Sequence, residues 1–182
     1  MNVVETVAGL DEPVELHVVR LLILLDAFAD DDRNPNVEGL TKLAKLDFLL
    51  RYPVMLERAL IAKSRSLNDV SLEEHERYSV ESSMVRYRFG PWDHRYREFL
   101  NVLVGKGLAT VGVEGRKVTI APTATGRALA LRLKQDQLFE PYAKRAAVLK
   151  RHFDLTATNL MRFIYDTFPE IVSLRSNSQI PT

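Results

Sequence analysis

The stretch MVRYRFGPWDHRYREFLNVLVGKGLATVGVEGRKVTIA, residues 84–121, decides the fold. It opens with alternation: Met84, Arg86 and Arg88 lie on one side and Val85, Tyr87 and Phe89 on the other, the period of two that marks a strand. Gly90-Pro91 closes that segment, and from 92 to about 106 the period becomes helical, with Tyr96, Phe99, Leu100 and Leu103 on one face. Gly107 stops the helix. Two short strands, 109–113 and 117–121, are joined across Glu114-Gly115-Arg116, where the glycine supplies the left-handed backbone of a tight hairpin. Just upstream, Ser71 and Glu74 fit a capping box that opens a helix at Leu72. Helix, strand, helix, glycine and hairpin over 72–121 is the layout of a winged helix.

Working outward, Asp11 caps a helix that carries Pro13 in its first turn and runs to about 29. Val14, Val18, Leu21, Leu22, Leu25 and Phe28 keep helical spacing, but Ile23 and Leu24 widen the apolar stripe beyond one face. Such a helix is either central to the fold or in contact with another chain. After an acidic loop at 30–36, a helix is expected over 37–51, with Leu40, Leu43, Ala44, Leu46 and Leu50 inward and Lys42, Lys45 and Asp47 outward. Tyr52-Pro53 breaks the geometry and a new helix continues to about 63, followed by a polar loop over 64–70. Beyond the hairpin, Thr123 or Thr125 caps a helix over 125–137, and amphipathic helices follow at 139–152 and 157–168. Pro169 interrupts the last, and the tail after Ser173 is expected to fray. The whole reads as mainly α: an N-terminal helical region (1–71), a winged-helix unit (72–121) and a C-terminal helical region (122–182) in one body.

Composition bounds the function. The net charge of +1 over 182 residues hides an acidic front, where residues 1–40 hold Glu5, Asp11, Glu12, Glu15, Asp26, Asp30, Asp31, Asp32 and Glu38 against Arg20 and Arg33. Between 86 and 117 the balance reverses, and it stays basic from 127 to 162. A polyanion can therefore meet one surface while a different partner meets another. The chain has no cysteine, which removes disulfides, thiolate zinc sites and cysteine nucleophiles. Its longest apolar tract, 18–25, is broken by Arg20 and falls far short of the roughly 20 residues of a spanning helix. Met1 to Leu10 lacks the basic start and apolar core of a secretion leader, so a cytoplasmic protein away from the membrane is expected.

The candidate nucleic-acid face is the solvated side of the helix before the hairpin. His94, Arg97, Glu98 and Asn101 lie opposite its apolar stripe, Arg95 sits at the edge, and Arg116 and Lys117 occupy the hairpin tip. A groove-entering helix with a basic wing tip would make Arg95, Arg97, Asn101, Arg116 and Lys117 the DNA contacts, and five phosphate contacts give a log–log salt slope of roughly −4 to −5. The alternative is an ordinary charged face on a winged helix that docks protein. Leu24, Arg51, Tyr52 and Trp92 are the candidate partner contacts, although Trp92 also suits a helix start packed on the wing and Arg51 an internal pair with an acid. Asp30 to Asp32 lack a second element to complete a metal site. Glu73-Glu74-His75-Glu76 has no metal-binding histidine spacing, and His17, His94 and His152 are scattered. Gly105-Lys106-Gly107 is not a phosphate loop, because Leu100 and Leu108 occupy its essential positions. A binding subunit without catalytic residues, metal or cofactor is the expectation.

Two segments carry a resemblance. Lys42-Leu43-Ala44-Lys45-Leu46-Asp47-Phe48-Leu49-Leu50-Arg51-Tyr52-Pro53 and Val85-Arg86-Tyr87-Arg88-Phe89-Gly90-Pro91-Trp92-Asp93, followed by Tyr96 and Gly107-Leu108, resemble the small middle component of ABC three-component systems. Lamassu-type anti-phage defence systems are among them. The similarity spans about residues 11–130. It implies a winged-helix subunit that joins an SMC/Rad50-like ABC ATPase to a separate effector, often a nuclease, with the chemistry residing in those partners. No motif maps beyond 130, which leaves the C-terminal helices without a role. The residues also leave open a free-standing winged-helix transcriptional regulator that binds its operator as a dimer through those helices.

Overall fold

A computed structural model of the chain describes residues 13–29, 36–70, 72, 74–77, 84–87 and 90–181, with the backbone alone at positions 74, 75 and 114. Its elements are α1 (Val14–Phe28), β1 (Val37–Glu38), α2 (Leu40–Arg51), α3 (Pro53–Ala62), α4 (Glu74–Arg77), β2 (Val85–Tyr87) and β3 (Gly90–Trp92). They continue with α5 (Tyr96–Gly105), β4 (Ala109–Glu114), β5 (Lys117–Pro122), α6 (Ala124–Leu133), α7 (Glu140–Phe153), α8 (Ala157–Thr167) and α9 (Pro169–Ser173). The architecture is mainly α with a β-hairpin wing, as the periodicity predicts. Expectations placed on Asp11, Asp30 to Asp32, Ser71, Glu73, Arg88 and Phe89, and on the side chains of Glu74 and His75, lie outside the described residues.

Two helices carry the core. The wide stripe of α1 is central: Leu21 to Leu25 and Phe28 are all buried, against α5, α6, α7 and β5. α2 is buried along its length from Lys42 to Arg51 and packs against α3, α7, α8 and β3. The outward placement expected for Lys42, Lys45 and Asp47 is corrected, because neighbours cover both sides of α2 and its polar residues are drawn in with it. Fully burying each large aliphatic side chain contributes about 1.5–3 kcal/mol, so these helices supply much of the folding free energy.

The wing sheet has the order β1-β5-β4. Its third strand is a correction, since Val37 and Glu38 were expected to open a helix. Gly39 takes φ 84°, a left-handed conformation that cannot continue a helix backwards, and Val37 pairs instead with Ile120 and buries its side chain. The winged unit thus reaches back before residue 72. β2 (Val85–Tyr87) does not serve as its strand, because it pairs with β3 in a separate hairpin. Gly90-Pro91 belongs to that hairpin, which delays the helix start from Trp92 to Tyr96. Trp92 packs on Tyr87 and Tyr96, with ring centroids 5.8 and 5.3 Å away.

The tail does not fray. Ser178 accepts from the Arg86 amide, the Ile180 amide donates to Met84 O at 2.9 Å, and Gln179 bridges to Val85. These bonds add the tail to the edge of the small hairpin and bury Ile180. Among the described residues, no helix is long and apolar enough to cross a membrane.

Candidate functional site

The site begins with how α5 is held. Tyr96, Phe99 and Leu103 are fully buried and Leu100 is half-buried, which turns His94, Arg97, Glu98 and Asn101 to solvent as the helical spacing predicts. Anchoring is polar as well as apolar. Tyr96 OH donates to Asp47 Oδ2 at 2.8 Å, and the same carboxylate accepts from Arg20 Nε at 2.8 Å and from Arg51 Nη2 at 3.0 Å. Arg51 continues to Asp93 Oδ2 at 3.1 Å, and Asp93 in turn accepts the Arg95 amide at 2.9 Å, just ahead of α5. One buried network therefore ties α1 and α2 to the start of the candidate groove helix.

The electrostatics follow from that packing. Burial by itself would raise the Asp47 carboxyl, but Arg20 and Arg51 outweigh it and, with hydrogen bonds from Arg20 and Tyr96, hold it well below the usual carboxylate range. Burial first, and Asp47 second, keep Tyr96 protonated far above its ordinary range, so its hydroxyl remains a donor. His17 stacks on Phe99 with centroids 4.7 Å apart, Nδ1 2.7 Å from Arg20 Nη2 and Nε2 3.2 Å from Arg95 Nη2. Burial, then Arg20, Arg51 and Arg95, push it down to about 3, so the ring is neutral at pH 7. A neutral ring accepts at one nitrogen only, so it accepts from one of these two guanidinium groups. Lys45 is buried too: its Nζ donates to Thr41 O at 3.1 Å, and burial lowers it to about 8.

The predicted site residues divide accordingly. Arg97 and Asn101 on α5 and Arg116 and Lys117 at the wing are exposed. Lys117 has Glu38 at 3.6 Å. Arg95 is a correction, for it is turned inward onto Asp93, with Nη2 3.1 Å from Oδ2, and lies over the Phe99 ring. Leu24, Arg51 and Tyr52 are corrected as surface anchors. Leu24 is in the core, Arg51 is enclosed by its two carboxylates, and Tyr52 OH accepts the Met84 amide at 2.8 Å. Trp92 remains half-exposed on its aromatic neighbours.

Sequence reasoning missed Asp47, Arg20, His17 and Asp93. The signal was there in the spacing: His17 and Arg20 sit three apart, and Asp47 and Arg51 four apart, so each pair shares a helix face, and a charge on a buried face needs a partner. Beside α5, the wing and the first turn of α2 enclose an open groove of about 460 Å³, with Leu100, Ile120 and Val118 in its walls and Arg116 and Lys117 lining it. Arg97 and Asn101 flank Leu100 on α5, so the helix and the wing tip border one surface. Among the described residues, no three His, Asp or Glu side chains gather as a metal-binding group. Compared with known families, with curated proteins and with solved structures, the chain matches none.

Proposed function

We propose that the chain is a non-catalytic winged-helix subunit of an SMC-like ATPase defence assembly, bridging the ATPase and an effector and touching DNA through α5 and the wing. The observation that carries the DNA part is that Leu100 of α5 lines one groove with Arg116 and Lys117 of the wing, while Arg97 and Asn101 of the same helix are exposed and its other face is locked into the core. Locking matters because a groove helix must hold its register without reorganising when it binds. The partner part rests on the resemblance of residues 42–53 and 85–93 to the ABC three-component middle subunits. Three exposed cations suit weak, salt-sensitive phosphate contact better than specific readout, for which only Asn101 and Arg97 are placed on the exposed face.

A free-standing regulator needs a dimer interface, and the C-terminal helices proposed for it bury Leu149, Phe153, Leu160 and Ile164 inside the chain. That expenditure favours the adaptor. Affinity purification of the chain from its native host in moderate salt, followed by mass analysis, tests the reading. Co-purification of a large ABC-type ATPase is expected, whereas recovery of the chain alone as a symmetric dimer sinks it in favour of the regulator.

A further inference from the structure

We infer that the groove between the wing and the first turn of α2 is a docking site for an extended acidic peptide segment of a partner protein, one that pairs leucine-like side chains with carboxylates. The groove measures about 460 Å³, room for a few side chains and within the size range of ligand-binding clefts. Its walls are apolar: Leu40, Leu100, Val118, Ile120 and Ala157 come from four separate elements, and all but the buried Ile120 leave hydrocarbon open to water. Val118 is 39 % exposed although it sits in a strand beside the fully buried Ile120. Phosphodiester backbones need donors and gain little from such walls; a peptide uses them for its side chains.

Charge sets which peptide fits. Among the described residues, Arg116 and Lys117 stand at the rim against one lining carboxylate, Glu38, a positive excess that a segment rich in aspartate or glutamate complements. α2 enters here from Gly39, which offers no side-chain cap, and its first turn adds partial positive charge to the same rim. This site shares Arg116 and Lys117 with the DNA reading but not Thr41 or Ala157, so the two can fail separately.

The test uses the isotope-labelled full chain titrated with a short synthetic peptide alternating aspartate and leucine, with two controls carrying lysine for aspartate or serine for leucine. Amide shifts are expected at Gly39, Thr41, Leu100 and Val118 with the first peptide only. Joint reversal R116E and K117E should weaken binding about tenfold, and filling the groove by Ala157→Trp or, on an exposed position, Thr41→Tyr should abolish it while duplex DNA retention stays intact. Binding that survives both filled variants, no shift at millimolar peptide, or equal binding of the serine control overturns the proposal. So does single-stranded DNA that shifts the same amides and is blocked by the filled variants, which would make the groove a nucleic-acid channel. A self-association that those variants dissolve would make a second copy the occupant and overturn it equally.

Discussion

At the scale of single residues, Asp47 carries the greatest consequence. It is fully buried and faces two guanidinium groups, which would be left without their shared carboxylate if it were removed. Breaking such a buried arrangement on one side costs about 3–5 kcal/mol. Asp47→Ala should therefore lower the unfolding free energy measured by urea titration by that much, a change large enough to unfold a marginal domain, and a loss under about 1 kcal/mol would mean that the network is decorative. pH reports on the same cluster. His17 is depressed from its ordinary 6.5 to about 3, so its stabilising effect is complete above 6.5 and is lost as pH falls toward 3. Asp47 is also depressed, so its contribution is complete above 3.8 and is lost below that. Both signs agree: the melting temperature should hold on the neutral side of 6.5 and fall on acidification. In His17→Gln the decline should begin only near the carboxylate range, and an unchanged profile would remove His17 from the explanation.

Among the elements, the hairpin wing depends on how closely α6 approaches the backbone that precedes β4. A Cβ at Gly126 would lie 1.9 Å from Leu108 O, the carbonyl that also accepts the Thr123 amide at 3.0 Å. The carbonyl cannot move without losing that bond, so Gly126→Ala should cost about 1–3 kcal/mol and loosen the wing, as read by faster amide exchange in β4 and β5. Helix propensity alone points the other way, since Ala is favoured over Gly in a helix by about 1 kcal/mol; stabilisation by this substitution would show that α6 does not pack as described. The tail makes a second case. Ile180 is 3 % exposed, so Ile180→Ala should cost about 2–4 kcal/mol by calorimetry. A frayed tail would register no change.

For the whole molecule, the charge asymmetry is partly consumed internally. Asp26 of the acidic front pairs with Arg127 of α6 and with Lys134 just after it, and Arg145 pairs with Glu76. Of the predicted DNA contacts, the cations that reach outward are Arg97, Arg116 and Lys117, because Arg95 is held by Asp93. Three phosphate contacts in place of five give a log–log salt slope of about −3, measurable by fluorescence anisotropy on duplex DNA. Charge reversal of those three residues should abolish retention and leave the melting temperature unchanged, since exposed positions of this kind shift stability by about 0.5 kcal/mol or less. Retention that persists takes DNA off this surface.

Sequence alone determined the class of fold, the hairpin and its turn, and the solvated side of α5, because each is fixed by a local period or a local glycine within one element. It also showed that α1 needs cover on two sides, from the fold or from another chain, and the structure supplies that cover from within. The tertiary structure decided which charges are buried, which strand completes the wing sheet and where the tail lies. Those depend on partners far along the chain: Arg20 finds Asp47 at a separation of 27 residues, Arg51 finds Asp93 at 42, and β1 meets β5 only once the core has closed. A charged residue reads as solvated until its counter-charge is in place, and no period along the chain records a meeting between elements.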